Sequence, residues 1–298
     1  MKGLMGILPG GYWDSGGVLH REFELAELTG REEELLAQTR RAETASLVTQ
    51  VLSRTVRRLG DIRPLTEDVA RELQVADRQY LLLMLRQSTF GDIVRGDFVC
   101  PWPDCGRRVS INFRIDEIPV EEATERAPLY TLLLSPGASG EQDVAQREVS
   151  FRLPNGADQE VVSPLLAENE SNALSLLLAR VVQRIGPFAP PGLERVAALS
   201  PLARAEIEAG IERVAPKIEL NIEIACSECG RAFLAPFDLQ RFFFGELRTD
   251  CDLLYRQVHY LAYHYHWGER QIMAMTRNKR EKYIELLVDE IERLNNGE

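Results

Sequence analysis

Four cysteines in two close pairs, Cys100-Pro-Trp-Pro-Asp-Cys105-Gly106 and Cys226-Ser-Glu-Cys229-Gly230, constrain the fold of this 298-residue chain more than any other feature. Each pair sits on a tight turn with a glycine directly after its second cysteine. Such a turn aims two sulfurs at a common ion, while the glycine lets the chain bend back and backbone N–H groups reach the thiolates. Two of these knuckles supply the four ligands of one tetrahedral zinc ion. The competing readings are ordinary core cysteines or two independent disulfides. Two close pairs, each with a trailing glycine and a strand alongside, favour zinc over both. Four thiolates leave no position open for water or substrate and lower the Lewis acidity of the ion, so the expected zinc is structural. It would also join segments more than a hundred residues apart, offsetting the loop-closure entropy of bringing them together. The fifth cysteine, Cys251, reads as a small buried hydrophobe at the start of an amphipathic helix.

An odd number of cysteines fits a reducing compartment better than a disulfide framework. Residues 1–19 hold one lysine and glycines at positions 3, 6, 10, 11, 16 and 17, which resembles neither a signal peptide nor a membrane span. They read as a flexible glycine-rich arm. A cytoplasmic location without membrane contact is therefore expected. The net charge of -11 repels polyphosphate, so nucleic acid is not an expected partner.

Periodicity divides the rest of the chain. Glu32 to Leu59 carries apolar residues at helical spacing and reads as one long amphipathic helix. Further helices are expected from Thr66 and from near Asp77, with the buried run Tyr80 to Leu85. The period then changes to two: Val109, Ile111, Phe113 and Ile115 alternate with polar residues, as do Ile218, Leu220, Ile222 and Ile224. These strands flank the knuckles and are expected to pair with each other, forming a zinc ribbon whose halves are separated by an insertion. Inside the insertion, Leu129 to Leu134 and Glu148 to Leu153 read as strands. Ser171 to Ile185 reads as a helix, and Pro201 to Val214 as another with Ser200 as its cap. Two final helices are expected over Asp250 to Tyr265 and Thr276 to Leu294, the last stopping at Asn295-Asn296-Gly297. The expected architecture is α+β, with an N-terminal helical part (20–96), a discontinuous ribbon (97–115 and 217–235), an α+β insertion (116–216) and a C-terminal helical part (236–298).

Weaker features read more simply as surface. His259, Tyr263 and His266 would share one face of the strip Val258 to Trp267, a pattern commoner in packing or partner surfaces than in metal sites. Arg277-Asn-Lys-Arg280 reads as a solvated basic face. Arg107 and Arg108 beside the first knuckle would suit a nucleic-acid-binding ribbon, but at the second knuckle the charges of Arg231 and Arg241 are cancelled by Glu228 and Asp238. No P-loop, nucleophile elbow or dinucleotide fingerprint is present, so neither an enzyme nor a small-molecule substrate is expected.

Several phrases together carry a resemblance: Leu28-Thr-Gly-Arg-Glu-Glu-Glu-Leu35, Asp77-Arg78 leading to Ser88-Thr-Phe-Gly91, Val149-Ser-Phe-Arg-Leu-Pro-Asn-Gly-Ala-Asp158, Val258-His-Tyr-Leu-Ala-Tyr-His-Tyr-His-Trp267 and Arg277-Asn-Lys-Arg280. Over most of residues 20 to 290 the chain resembles the baseplate hub assembly proteins of T-even-like contractile phage tails and their relatives in contractile injection systems. The resemblance implies a non-enzymatic chaperone for hub or spike proteins. The zinc expectation rests on the residues themselves. Trp102, Tyr260, Tyr263, His264 and Trp267 are the candidate partner contacts. The alternatives are a stoichiometric part of the baseplate and a zinc-ribbon nucleic-acid-binding regulator.

Overall fold

The glycine-rich N-terminus folds as a strand, not as a free arm. In the computed structural model, which describes residues 3–38, 44–140, 143–166, 168–239, 242, 243, 245 and 251–296, β1 (Leu4–Trp13) pairs antiparallel with β2 (Leu19–Leu25). The glycines serve close approach. A Cβ on Gly6 would stand 2.5 Å from the Phe23 ring, and one on Gly10 would stand 2.4 Å from the Gln74 side chain. Glycine here admits neighbours that any other residue would push away.

The single helix expected over Glu32 to Leu59 is two helices and a strand: α1 (Gly30–Gln38), α2 (Thr44–Thr55) and β3 (Val56–Leu59). Residues 39–43 lie outside the described residues. Val56 and Leu59 satisfy a helical stripe and a short strand with buried ends equally well. Pairing with β2 decides for the strand and completes a three-stranded sheet in the order β1-β2-β3. Next come α3 (Glu67–Glu72), capped as expected by the Thr66 side chain, and α4 (Val75–Phe90), which ends at Gly91. Leu81, Leu82, Leu83 and Leu85 of α4 pack with Leu8, Phe23, Val48 and Leu52 in the main core.

Two charged residues at the start of α4 fasten this core. The Asp77 carboxylate accepts the backbone N–H groups of Gly10 and Gly11 at 2.8 and 2.7 Å, tying β1 to the helix. Burial pushes the Asp77 carboxyl up to about 6, against the pull of those two donors. Its neighbour Arg78 is also buried and donates to the Ala70 and Ala45 carbonyls, the Thr49 hydroxyl and the Gln159 amide oxygen. Every arm of the guanidinium is occupied, as a buried cation requires.

The middle of the chain contains β4 (Ile93–Val99), β5 (Arg108–Arg114), β6 (Val120–Glu121), β7 (Tyr130–Leu133), the single turns α5 (Pro136–Ser139) and α6 (Val144–Arg147), and β8 (Glu148–Phe151). After these come α7 (Gly156–Leu166), α8 (Glu170–Val181), β9 (Val182–Ile185), α9 (Gly192–Ala197), α10 (Pro201–Val214) and β10 (Lys217–Ile218). β7 and β8 pair antiparallel where the two strands were expected, and β9 completes their sheet. The helix expected from Ser171 to Ile185 therefore stops at Val181, and its last four residues turn into strand. α10 begins as expected, with the Ser200 hydroxyl accepting the Ala203 N–H at 3.0 Å and Pro201 at the first helical position.

The insertion is closed at its neck and bound to the N-terminal part. β6 pairs with β10, joining its two ends. At α7, Asp158 and Asn155 exchange hydrogen bonds of 3.0 and 3.1 Å between side chain and backbone, forming a cap. Burial alone would raise the Asp158 carboxyl, but Arg152, the Asn155 N–H and Arg180 hold it below the usual carboxylate range. Gly156 lies directly against the Arg78 guanidinium; a Cβ there would be 2.3 Å from Arg78 Nη1.

The C-terminal part is α11 (Cys251–Tyr265), α12 (Glu269–Met273) and α13 (Arg277–Asn296). Leu254, Val258 and Leu261 of α11 are buried against Ile272 and Met273. The basic stretch at the start of α13 is solvated only in part: Asn278 and Lys279 are exposed, but the two arginines turn inward. Arg280 is 0% exposed and grips both oxygens of Glu33 on α1 at 2.8 and 2.9 Å. Arg277 reaches the same carboxylate at 3.3 Å. The side chain of Cys251, Arg241 and Gly297 lie outside the described residues.

Candidate metal centre

Each knuckle closes its own hairpin. β4 and β5 pair with each other from Ile93 and Arg114 to Val99 and Arg108, with Cys100 to Arg107 as the tip. β11 (Asn221–Ala225) and β12 (Ala232–Pro236) do the same around the second knuckle. The expected pairing between the two flanking strands does not form. A four- or two-residue gap between cysteines is short enough for a hairpin loop, so local pairing wins over pairing across the insertion. The apolar alternation from Ile218 to Ile224 likewise splits between β10 and β11, which pair with different partners.

The two tips repeat one construction. Cys100 and Cys226 donate their N–H groups to the carbonyls of Arg107 and Arg231, at 2.8 and 3.0 Å, closing the loops. Gly106 and Gly230 adopt left-handed φ values of 57° and 72°, the conformation that explains a glycine after each second cysteine. The backbone N–H groups of Trp102, Arg107 and Arg231 lie against the sulfurs of Cys100, Cys105 and Cys229.

These tips meet sulfur to sulfur. The ligand atoms of Cys100, Cys105, Cys226 and Cys229 all lie within 4.8 Å of one another. Cys100 Sγ is 3.8 Å from Cys229 Sγ, and Cys105 Sγ is 3.7 Å from Cys226 Sγ. A sulfur tetrahedron with bonds of about 2.3 Å to a central ion has edges of about 3.8 Å, whereas a disulfide needs about 2.05 Å. The cage fits an ion and not two disulfides. Val109, Ile224 and Ala235 form a small buried cluster beneath it, with Phe98, Ile111, Ile222 and Phe233 packed alongside.

Charge at the cage is uneven. Burial pushes the Cys100 thiol up to about 12, whereas the Arg231 N–H, joined by its guanidinium, holds Cys229 down at about 6. A divalent cation at the centre makes four thiolates compatible in one place, which is why metal binding and deprotonation are linked. The Arg231 side chain also crosses to the first knuckle. Its Nη2 donates to Asp104 at 2.6 Å, and the guanidinium stands 4.9 Å from the Trp102 ring centre.

A family model described as T4 bacteriophage base plate protein matches residues 15–244. The chain belongs to this base plate family. No curated protein and no solved structure was found to match it. The family region contains both knuckles, the insertion and the Asp77-Arg78 clamp, while α11, α12 and α13 follow it. No helix among the described residues is long and apolar enough to cross a membrane.

The aromatic strip expected as a partner surface divides in two. Tyr263 is 70% exposed, with His264 beside it and Tyr260 edge-on to His264 at 4.6 Å. Trp267 instead stacks on Tyr265 at 4.6 Å and packs edge-on against Tyr283, so it serves the fold. His266 lies beyond the end of α11 with a left-handed φ of 58°, off the face it was expected to share with His259 and Tyr263. Trp102 is 38% exposed, with the Arg231 guanidinium over its ring. The crossing made by Arg231 was missed in the sequence, where its charge was set against Glu228; the Cys-Gly-Arg triplet repeated after both knuckles is the pattern that could have exposed it.

Proposed function

We propose that this base plate family member is a non-enzymatic protein-binding factor that assists assembly of the hub of a contractile tail or a related injection device. The observation that carries this reading is membership of the base plate family across residues 15–244. Its clients would be hub or spike proteins, met in the cytoplasm where such particles are built. The exposed part of α11 around Tyr260, Tyr263 and His264, with the exposed edge of Trp102, is the surface offered to them.

The four sulfurs would hold one zinc ion as a structural staple. Zinc suits the all-thiolate tetrahedron, and binding would fasten two hairpins that share no strand pairing. Cys100, Cys105, Cys226 and Cys229 all face one another, leaving no side for a substrate, so no reaction is assigned to the site.

The test is affinity capture with the tagged full chain from cells expressing the hub and spike proteins. Recovery of a hub or spike protein by wild type, and its loss in Tyr263→Ala, supports the reading. Capture of none of them contradicts it. A second reading, a stoichiometric part of the baseplate, follows from the same family membership. Mass spectrometry of purified particles separates the two, since a transient helper is absent from them.

A further inference from the structure

The two hairpins belong to separate two-stranded sheets. At their bases Phe113 packs edge-on against Phe237 at 5.1 Å; at their tips they are joined by the sulfur cage, the small apolar cluster beneath it and the Arg231 side chain, which crosses from tip to tip. Both tips end in Cys-Gly-Arg, and the N–H groups of Arg107 and Arg231 lie on the preceding sulfurs. The side chains then break the symmetry. Arg107 stays exposed. Arg231 reaches Asp104 and Trp102, both in the first knuckle, while also contacting Cys229. Its two receivers stand in the longer loop, which has four residues between cysteines where the second knuckle has two. The longer spacing thus provides a landing site for the arginine of the opposite tip.

We infer that Arg231 is a positioning residue that latches the two knuckles together and slows loss of the metal; this rests on the zinc reading above. Each tip contributes two ligands, so an ion leaves when the tips separate. Separation breaks the contacts of Arg231 to Asp104 and Trp102 in the same movement. An exposed ion pair adds little to the stability of a fold, but here it acts on the opening of two bodies around an ion. Groups that support metal ligands from outside typically govern affinity by about 10- to 100-fold. Arginine is suited to the task because its planar fork can stack on Trp102 and pair with Asp104 at once, which a lysine ammonium cannot.

The test uses the full chain loaded with zinc and follows transfer of the ion to an excess of a chromogenic chelator. Arg231→Ala releases zinc about tenfold faster than wild type, in line with the loss of outer support for ligands. Arg231→Lys, which keeps a charge for Asp104 but not the planar fork, is intermediate. Arg107→Ala, at the equivalent place in the other knuckle, releases at the wild-type rate. Cobalt-loaded Arg231→Ala keeps the absorption spectrum of four thiolates, showing that the ligands are intact while retention is impaired. Release from Arg231→Ala at the wild-type rate, or equal acceleration by Arg107→Ala, overturns the latch. A wild-type chain that binds no metal overturns the zinc reading itself, a distinct result.

Discussion

Glu33→Ala should be among the most damaging single changes outside the apolar core. Arg280 is held by both oxygens of Glu33 at 2.8 and 2.9 Å, by the Gln257 amide oxygen at 3.0 Å and by the Met275 carbonyl at 2.9 Å. Removing the carboxylate leaves a buried cation with neutral acceptors alone, which costs about 3–5 kcal/mol. A chain of this size loses about 3 kcal/mol of stability per molar urea, so the unfolding midpoint should fall by about 1–1.7 M. Circular dichroism at 222 nm reports the loss directly. Glu33→Leu combined with Arg280→Met removes both charges at similar volume and should recover most of it, with a coupling of about 2 kcal/mol or more between the sites. A midpoint shift in Glu33→Ala below about 0.3 M, or strictly additive effects in the pair, would refute the reasoning.

Asp77 provides a test with a pH axis. Its folded carboxyl is pushed to about 6 by burial from an ordinary value of 3.8, so the folded state binds the extra proton and gains stability as pH falls through 6. Relative to Asp77→Asn, wild type should gain about 1.4 kcal/mol between pH 7.5 and pH 5, read from parallel urea titrations; a constant difference contradicts this. Gly156→Ala places a Cβ 2.3 Å from Arg78 Nη1 and 2.9 Å from the Arg71 carbonyl, beside a guanidinium that cannot turn away. It should lower stability by about 2–3 kcal/mol in the same assay, and an unchanged midpoint would show that the knot around Arg78 is loose.

The parts of the fold that were legible in the sequence are those where one local signal decides. The Thr66 and Ser200 caps, the Leu81 to Leu85 run and the β7 and β8 strands all stand where their residues place them. Errors arose where a pattern fits two structures and distant partners choose between them. Val56 and Leu59 join a sheet because β2 is there to pair with, and residues 182–185 do so because β8 is. Gly6 and Gly10 looked like sources of mobility, since a sequence does not show the ring and the amide that come within a Cβ's reach.

The phrases that carried the family resemblance prove to be pieces that touch each other. Arg78 meets Gly156 of the Val149 to Asp158 phrase, and Glu33 of the first phrase meets Arg280 of the last. Charge composition suggested that Arg280 was solvated, because only the fold reveals the carboxylate waiting 247 residues away. The cysteine site was legible for a different reason. Metal-ligand chemistry needs particular residues at short spacing, so each half of the cage is written locally; only the way the halves are hung, on two hairpins in place of one ribbon, required the structure.

The most direct measurement is the metal content of the purified, reduced chain by inductively coupled plasma mass spectrometry, with a parallel count of thiols reactive before and after chelation. The account requires one zinc per chain, and four additional thiols reacting once the ion is removed. Protein that contains no metal, and whose Cys100, Cys105, Cys226 and Cys229 react freely from the start, would contradict it.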